Sequence, residues 1–330
     1  MKGMILAGGL STRLYPLTLD LPKPLVPVLD RPVVGHVIDY LKRYGVDDIA
    51  INVHYFPEAV TGYVGNGSRF GVDIFYLREP ELMGSAGSVR ALADRFQETF
   101  VVIGCDDVTD IDLESALRFH KRRRAEATIV LADVPDVSQY GAVIVDADGR
   151  ITEFQEKPAP GTEKSKLANT GVYIFEPRLL ERIPQKTFYD FGKQVFPGLL
   201  AAGAAFYGMR QQAYWCDIGT PGEYRRVHRD ALAGRVALQP PDGARISDGV
   251  LLGARAVVAP SAKLVAPVCL GGACEIADGA IVSDSILWRS VRVGARAKVA
   301  GAVIADEAVV DPEASVAGGE FGRGAHLARA

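Results

Sequence analysis

Short apolar runs alternate with helically spaced segments along the first two-thirds of the chain. Gly3–Ala7, Ile49–Val53, Phe100–Gly104, Thr128–Leu131 and Gly171–Phe175 are nearly continuous apolar stretches, the pattern of strands buried on both faces. Between the first two, Val33, Val34, Val37, Ile38 and Leu41 recur at helical spacing within residues 33–44, and Gly45 stands where a C′ glycine closes a helix. Strands alternating with helices predict an α/β domain. Val72–Leu77 and Gly141–Val145 read as added strands, so the expected sheet is mixed and mainly parallel.

Gln239-Pro240-Pro241-Asp242-Gly243 interrupts this pattern and reads as a linker, which divides the chain into domains 1–238 and 239–330. Beyond it, Leu252, Val258, Leu264, Leu270, Ile276 and Val282 recur every six residues. Ala256, Ala262, Val268, Cys274, Ala280 and Ile286 follow four positions after each. The register shifts after Trp288, resumes at Val293 and Val299, slips by one to Ile304, and continues to Val310 and Val316. Hexads with aliphatic and small inward positions predict a left-handed parallel β-helix, because sandwich strands alternate with period two and vary in spacing. The Gly/Ala/Arg-rich tail 318–330 is expected to be loose.

Composition narrows the class without naming a function. The 330 residues are 48% hydrophobic and 23% charged, enough apolar content for a sizeable core. Lys plus Arg number 37 against 40 Asp plus Glu, a net charge of −3 that offers no general attraction for nucleic acid or anionic membrane. The basic run Lys121-Arg122-Arg123-Arg124 follows a helical stretch at Leu113–Phe119 and reads as a solvated helix end. No stretch is long and apolar enough to span a bilayer, and the N-terminus runs straight into a strand rather than a signal peptide. Cys105, Cys216, Cys269 and Cys274 form no C-x-x-C pair and read as reduced thiols, so a cytoplasmic location is expected.

The strongest local signal follows the first strand: Leu6-Ala7-Gly8-Gly9-Leu10-Ser11-Thr12-Arg13, then Pro22-Lys23-Pro24. A glycine-rich turn lets backbone N–H groups approach an oligophosphate, Arg13 supplies a fork of donors, and Lys23 a compact charge. Neither a P-loop nor a dinucleotide fingerprint is present. A simple tight turn would explain the glycines, but not both cations in one proline-braced loop.

These residues resemble the loop of the sugar-1-phosphate nucleotidyltransferases, G-G-x-G-T-R followed by K-P, with Ser11 where that family usually has glycine. The resemblance extends through most of the chain. Gly84-Ser85-Ala86-Gly87 is similar to the second nucleotide loop, and Gly104-Cys105-Asp106 occupies the place of N-G-D. Tyr140-Gly141, Glu156-Lys157-Pro158 and Asn169-Thr170-Gly171 resemble the sugar-phosphate site. Trp215-Cys216-Asp217 resembles the motif with a second acidic residue. The resemblance implies a Rossmann-like nucleotidyltransferase domain whose substrates are a nucleoside triphosphate and a sugar 1-phosphate. It assigns Leu6, Ala7, Gly8, Gly9, Ser11, Thr12, Arg13, Glu79, Gly84 and Ser85 to the nucleotide, and Gly141, Glu156, Lys157 and Asn169 to the sugar phosphate. By the same resemblance, Arg13, Lys23, Asp106 and Asp217 are expected to carry catalysis. Two hard carboxylates, Asp106 and Asp217, suit Mg²⁺, with the adjacent Asp107 as the alternative to Asp106.

Glu79 is the informative position for the base. A carboxylate only accepts, which suits the N1–H and N2–H₂ donors of guanine and repels O4 of uracil. Glu79-Pro80-Glu81-Leu82 is similar to mannose-1-phosphate guanylyltransferases, so GTP and mannose 1-phosphate are expected; a solvated Glu79 is the alternative. A glucose-1-phosphate thymidylyl-, uridylyl- or adenylyltransferase, and a non-catalytic regulatory subunit, remain competing functions. Acyl transfer in the β-helix lacks a base, since the only histidine beyond residue 239 is His326 in the tail. The β-helix therefore reads as an assembly or regulatory module, with a homo-oligomer expected.

Overall fold

The computed structural model describes residues 1–329. The chain forms two compact units: Met1–Gly9 with Val37–Trp215, and Leu10–His36 with the chain from Cys216 onward. The expected linker and the 238/239 division fall inside the second.

The first unit holds a nine-stranded sheet. Its strands are β1 (Lys2–Leu6), β2 (Asp48–Val53), β3 (Asp73–Arg78), β4 (Phe100–Gly104), β5 (Ala127–Asp133), β6 (Gly141–Val145), β7 (Ile151–Glu156), β8 (Leu167–Phe175) and β9 (Phe206–Arg210). The order is β7-β6-β8-β4-β1-β2-β3, with β5 also on β8 and β9 on β5. β1 pairs in parallel with β2 and β4, and β2 with β3. β8 runs antiparallel to β4, β5 and β6, and β7 antiparallel to β6. The sheet is mixed as expected. The Val72–Leu77 run is a regular parallel member, β3, whereas Gly141–Val145 is an antiparallel addition.

Five helices flank these strands in sequence: α1 (Val33–Arg43), α2 (Pro57–Val64), α3 (Gly84–Ala91), α4 (Leu113–Arg122) and α5 (Phe196–Ala201). α1 ends as its sequence predicts. Gly45 takes φ +71° while Val46 N bonds back to Leu41 O. α4 begins with the Asp112 side chain accepting from Ser115 N at 3.0 Å. Phe96, Phe100, Phe175, Phe191, Phe196 and Phe206 pack into one buried cluster with Met4 and Val102. Each such ring contributes roughly 1.5–3 kcal/mol by leaving water. Register places Leu6 opposite both Asn52 and Gly104, so the loops after β1 and β4 emerge side by side at the strands' carboxyl ends. Open α/β sheets bind ligands there.

The second unit contains a short hairpin pairing Pro27–Val28 with Arg31–Pro32, the helix α6 (Pro221–Leu232) and a coil of parallel strands. Thr220 caps α6 by accepting from Glu223 N, and Pro221 opens its first turn. Tyr224 on α6 donates to Pro27 O at 2.5 Å and accepts from Trp288 Nε1 at 2.9 Å. Asp30 accepts from Gly272 N and Arg289 Nε, each at 3.1 Å. The hairpin that follows Lys23 is thus tied to both the helix and the coil.

The coil is the parallel β-helix that the hexads predict, with Ile276, Val282, Leu287, Val293, Val299, Ile304, Val310 and Val316 inside. Its turn length changes. Leu264 pairs with Val282, eighteen residues on, but Leu270 pairs with Leu287 and Val282 with Val299, seventeen on. The irregularity lies where Ala266 and Pro267 face Asp284 alone, between the pairs Val265–Ser283 and Val268–Ser285. The register shift therefore precedes Trp288, earlier than the sequence suggested. It makes Leu287, not Ile286, the inward residue, with Ile286 stacked on Cys269. Every later turn drops one residue at the same corner, which accounts for the slip to Ile304. Over 318–329 the tail is not loose, Ala330 lying outside the described residues: Glu320–Phe321 pairs with Val303–Ile304, and His326–Leu327 with Val309–Val310. Phe321, Ala325 and Leu327 pack on the coil interior, which is why this segment is ordered. Among the described residues no helix is long and apolar enough to cross a membrane.

Candidate active site

The first unit holds the start of the glycine-rich loop against a buried polar chain. Ala7 N donates to Asn52 Oδ1 at 2.8 Å, and Asn52 Nδ2 donates to Glu79 Oε1 at 2.9 Å. Glu79 Oε2 accepts from Met83 N at 3.2 Å. Glu79 is 4% exposed, which removes the solvated alternative. Gly8 is required here, since a Cβ would sit 2.7 Å from Asn52 Nδ2 and 3.7 Å from Glu79 Oε2. Buried polar groups survive only when bonded, and this chain satisfies each in turn.

The segment 84–87 is less open than a free phosphate loop. Gly84 at φ +73° starts α3, and the amides of Ala86 and Gly87 both donate to Tyr189 O at 3.0 Å. Ser85 Oγ donates to Asp190 Oδ2 at 2.9 Å and accepts from Phe191 N at 3.0 Å.

Asp106 and Asp107 differ in what surrounds them. Asp107 is 6% exposed. Its Oδ1 accepts from Trp215 Nε1 at 2.9 Å and its Oδ2 from Gly104 N at 3.1 Å. Gly171, at φ +79°, leaves it room, for a Cβ there would lie 2.9 Å from Oδ2. Asp107 therefore braces the strand ends. Asp106 is half-buried, and its Oδ1 would lie 2.7 Å from a Cβ on Gly104.

The three segments that resemble a sugar-phosphate site meet on neighbouring strands. Gly141 on β6 pairs with Glu156 on β7, and Lys157 N donates to Tyr140 O at 3.1 Å. Asn169 on β8 lies with its Cβ 3.4 Å from where a Gly141 Cβ would be, and the Phe154 ring closes off the same space. Asn169 Oδ1 accepts from Gly171 N and its Nδ2 donates to Tyr173 Oη, both at 3.0 Å. Desolvation raises the Glu156 carboxyl above its usual pKa; Asp190 adds to this, while Lys157 and Lys193 oppose it.

In the second unit, Ser11 takes the left-handed conformation, φ +55° and ψ +36°. Its carbonyl accepts from Leu14 N at 3.2 Å and from Thr18 Oγ1 at 2.9 Å. Serine thus keeps the backbone angle that glycine adopts freely. Thr12 and Arg13 follow in a single 3₁₀ turn. Lys23 is 8% exposed and donates to Asp217 Oδ1 at 3.2 Å. Arg13 Nη2 and both Asp217 carboxylate oxygens converge within 2.9–3.0 Å of the space a Gly219 Cβ would fill. Arg13 and Lys23 thus meet Asp217, which lies 194 residues beyond Lys23.

Donor chemistry suits a hard cation. No group of three or more His, Cys, Asp or Glu is assembled for a metal among the described residues. Single carboxylates such as Asp106 and Asp217 fit an ion that takes one or two from protein and the rest from phosphate and water.

The family model for nucleotidyl transferases matches residues 2–234. The chain belongs to the sugar-1-phosphate nucleotidyltransferase family. This family transfers a nucleotidyl group from a nucleoside triphosphate to a sugar 1-phosphate and generally uses a divalent metal. The nucleotidyltransferase is 34% identical to a UTP–glucose-1-phosphate uridylyltransferase of Synechocystis sp., over 94% of this chain and 89% of that protein. It is 32% identical to a mannose-1-phosphate guanylyltransferase of Mycobacterium tuberculosis, over 89% and 82%. A crystal structure from Bacillus anthracis, described as a glucose-1-phosphate thymidylyltransferase, superposes with a TM-score of 0.65 at 27% identity, covering 72% of this chain and 97% of that one.

Two residues of this nucleotidyltransferase escaped sequence reasoning. Asn52 carried a signal, as the one polar residue inside the Ile49–Val53 run. Asp190, which holds Ser85 and caps the turn at Gly192 N and Lys193 N, carried only the Asp that precedes a helical segment.

Proposed function

We propose that this chain transfers the guanylyl group of GTP to mannose 1-phosphate, releasing pyrophosphate and forming GDP-mannose, with Mg²⁺ as the metal. The observation that carries the base assignment is Glu79, buried beside Gly8 as an accept-only group. After its bonds to Asn52 and Met83, each carboxylate oxygen keeps a further lone pair for a donor edge. The guanylyltransferase name also recurs among relatives from plants, Mycobacterium and Danio rerio.

In this reading a sugar-phosphate oxygen attacks the α-phosphorus in line, and the protein supplies alignment and charge rather than covalent chemistry. The amides of the Leu6–Thr12 loop and Arg13 receive the triphosphate, with Gly84 and Ser85 beside it. Lys23 neutralises the α-phosphate as charge develops. Lys157 holds the sugar phosphate, Glu156 and Asn169 hold ring hydroxyls, and the Gly141 backbone lies beside the ring. Asp106 and Asp217 would each offer a carboxylate to Mg²⁺, which would supply Lewis-acid polarisation of the α-phosphate. Residues 1–238 carry this chemistry, and 239–330 serve assembly with a second copy of the chain in the cytoplasm. Val257 and Val265, exposed on the coil, support such packing.

The Synechocystis relative favours a second reading, UTP and glucose 1-phosphate. Pyrophosphate release, measured for GTP, UTP, dTTP, ATP and CTP against mannose and glucose 1-phosphates, separates the two. Turnover confined to GTP with mannose 1-phosphate is expected. Preference for UTP or dTTP with glucose 1-phosphate overturns the role of Glu79. No turnover in any pair points to a regulatory subunit.

A further inference from the structure

The basic run at the end of α4 has no part in the chemistry above, yet it lines a cleft. An open cavity of about 420 Å³ is bounded by His120, Lys121, Arg124, Glu176, Pro177 and Arg178. That size lies within the range of small-metabolite sites. We infer that this cleft binds a small phosphorylated, non-aromatic metabolite, with Lys121, Arg124 and Arg178 holding its phosphate.

The charges favour an anion. Among the described residues neither Lys121 nor Arg124 has an ion-pair partner, and both are exposed. Arg178 reaches only Glu126, at 3.8 Å, and that carboxylate is held more closely by Arg182 at 2.5 Å. Glu176 is the one acidic residue of the lining, and its Oε1 is engaged by Thr99 Oγ1 at 2.7 Å and His120 Nε2 at 3.1 Å. Three cations against one committed carboxylate leave an excess that matches a phosphate dianion.

The backbone adds a second observation. Arg124 sits at φ +47°, a left-handed position closing α4 where glycine is the relaxed choice. Ala125 N bonds back to His120 O and Arg124 N to Lys121 O, so the carbonyls that would repel an anion at a helix C-terminus are engaged. A cation is kept where local preference asks for glycine, a conflict of the kind found at functional sites.

No Phe, Tyr or Trp lines the cleft and the His120 ring is buried, so no exposed ring is offered to a base, and Glu176 provides an acceptor for a hydroxyl. A phosphorylated sugar or hydroxy acid fits better than a nucleotide. Thr99 precedes β4 and Glu176 follows β8, where Phe100 pairs with Phe175. Asp106 and Asn169 belong to the opposite ends of these strands, so the occupant is an effector rather than a reactant.

Hydrogen exchange and calorimetric titration with glucose 6-phosphate test this, with glucose and inorganic phosphate as parallel arms. Saturable binding of glucose 6-phosphate, protection at residues 120–125 and 176–178, and no binding of glucose are expected. The double variant Lys121→Ala/Arg124→Gln should bind about tenfold or more weakly, with its thermal midpoint and basal transfer rate unchanged. Equal binding of inorganic phosphate supports the cleft with phosphate as the whole recognised group. Protection confined to residues 6–13 and 141–169, equal affinity in the double variant, or no binding of either phosphate at millimolar concentration overturns it.

Discussion

The Lys23 ammonium donates to Asp217 Oδ1 at 3.2 Å, with side-chain exposures of only 10% and 20%. A mostly buried cation paired with a carboxylate is preorganised for a phosphate that arrives beside it. Lys23→Gln is expected to lower kcat by about 100-fold or more, with a smaller change in KM for the sugar phosphate. Steady-state kinetics on the folded variant check this; kcat within a few-fold of the parent makes the pair structural only.

Asp106 and Asp107 should separate by experiment. In Asp107→Asn an amide group must face Gly104 N or Trp215 Nε1, both donors, so stability should fall by about 1–3 kcal/mol. Asp106→Asn should keep the thermal midpoint and lose kcat. The reverse pattern, with Asp107→Asn stable and inactive, would make Asp107 the functional carboxylate.

Ser11 offers a test of backbone strain. At φ +55°, a serine carries roughly 1–2 kcal/mol of left-handed cost, and glycine would relieve it while adding about 0.5–1 kcal/mol of unfolded-state entropy. Ser11→Gly is therefore expected to be neutral or slightly stabilising, with activity retained. Ser11→Val, β-branched at the same angle, should destabilise the loop and raise KM for the nucleotide. Denaturant midpoints and nucleotide KM values read both effects.

Acid sensitivity should centre on His228. The ring is 2% exposed, its Nε2 donates to Pro27 O at 3.3 Å, and its Nδ1 has no partner among the described residues. Burial pushes its pKa from 6.5 down to about 3. The unfolded ring takes a proton near pH 6.5 and the folded ring does not until near pH 3. Its contribution is whole above pH 6.5 and is lost as pH falls, by about 1.4 kcal/mol per unit inside that window. Burial lowers the His120 pKa too, so it adds in the same direction. Unfolding curves of His228→Gln between pH 7 and pH 4 should show a shallower decline than the parent; an identical slope would remove His228 as the cause.

What the sequence showed and what it hid follow from how far each interaction reaches. Buried strands such as Phe100–Gly104 and the hexads announced themselves, because apolar periodicity is local. The glycine-rich loop after β1 and its two cations stood out because Gly8, Arg13 and Lys23 lie close together in sequence. The Lys23–Asp217 contact and the Ser85–Asp190 bond were not, since each spans more than a hundred residues and is set by tertiary packing. The tail at 318–329 was misjudged because its composition is that of a loose end, whereas Phe321 and Leu327 fall in the seventeen-residue register of the coil.

That register gives the coil the character of a stack of interchangeable courses. Ala273, Ser290, Glu307 and Gly324 occupy the same left-handed corner in successive turns, each with its N–H on the turn below. Beyond its ties to the hairpin and α6, a stack of this kind is held by nearest-neighbour terms. Its height can change by whole courses of seventeen residues at little cost to the courses beneath. An insertion other than a whole course of seventeen or, as in the earlier turns, eighteen residues puts later residues out of register with the course beneath. Length variation among chains built this way should therefore come in quanta.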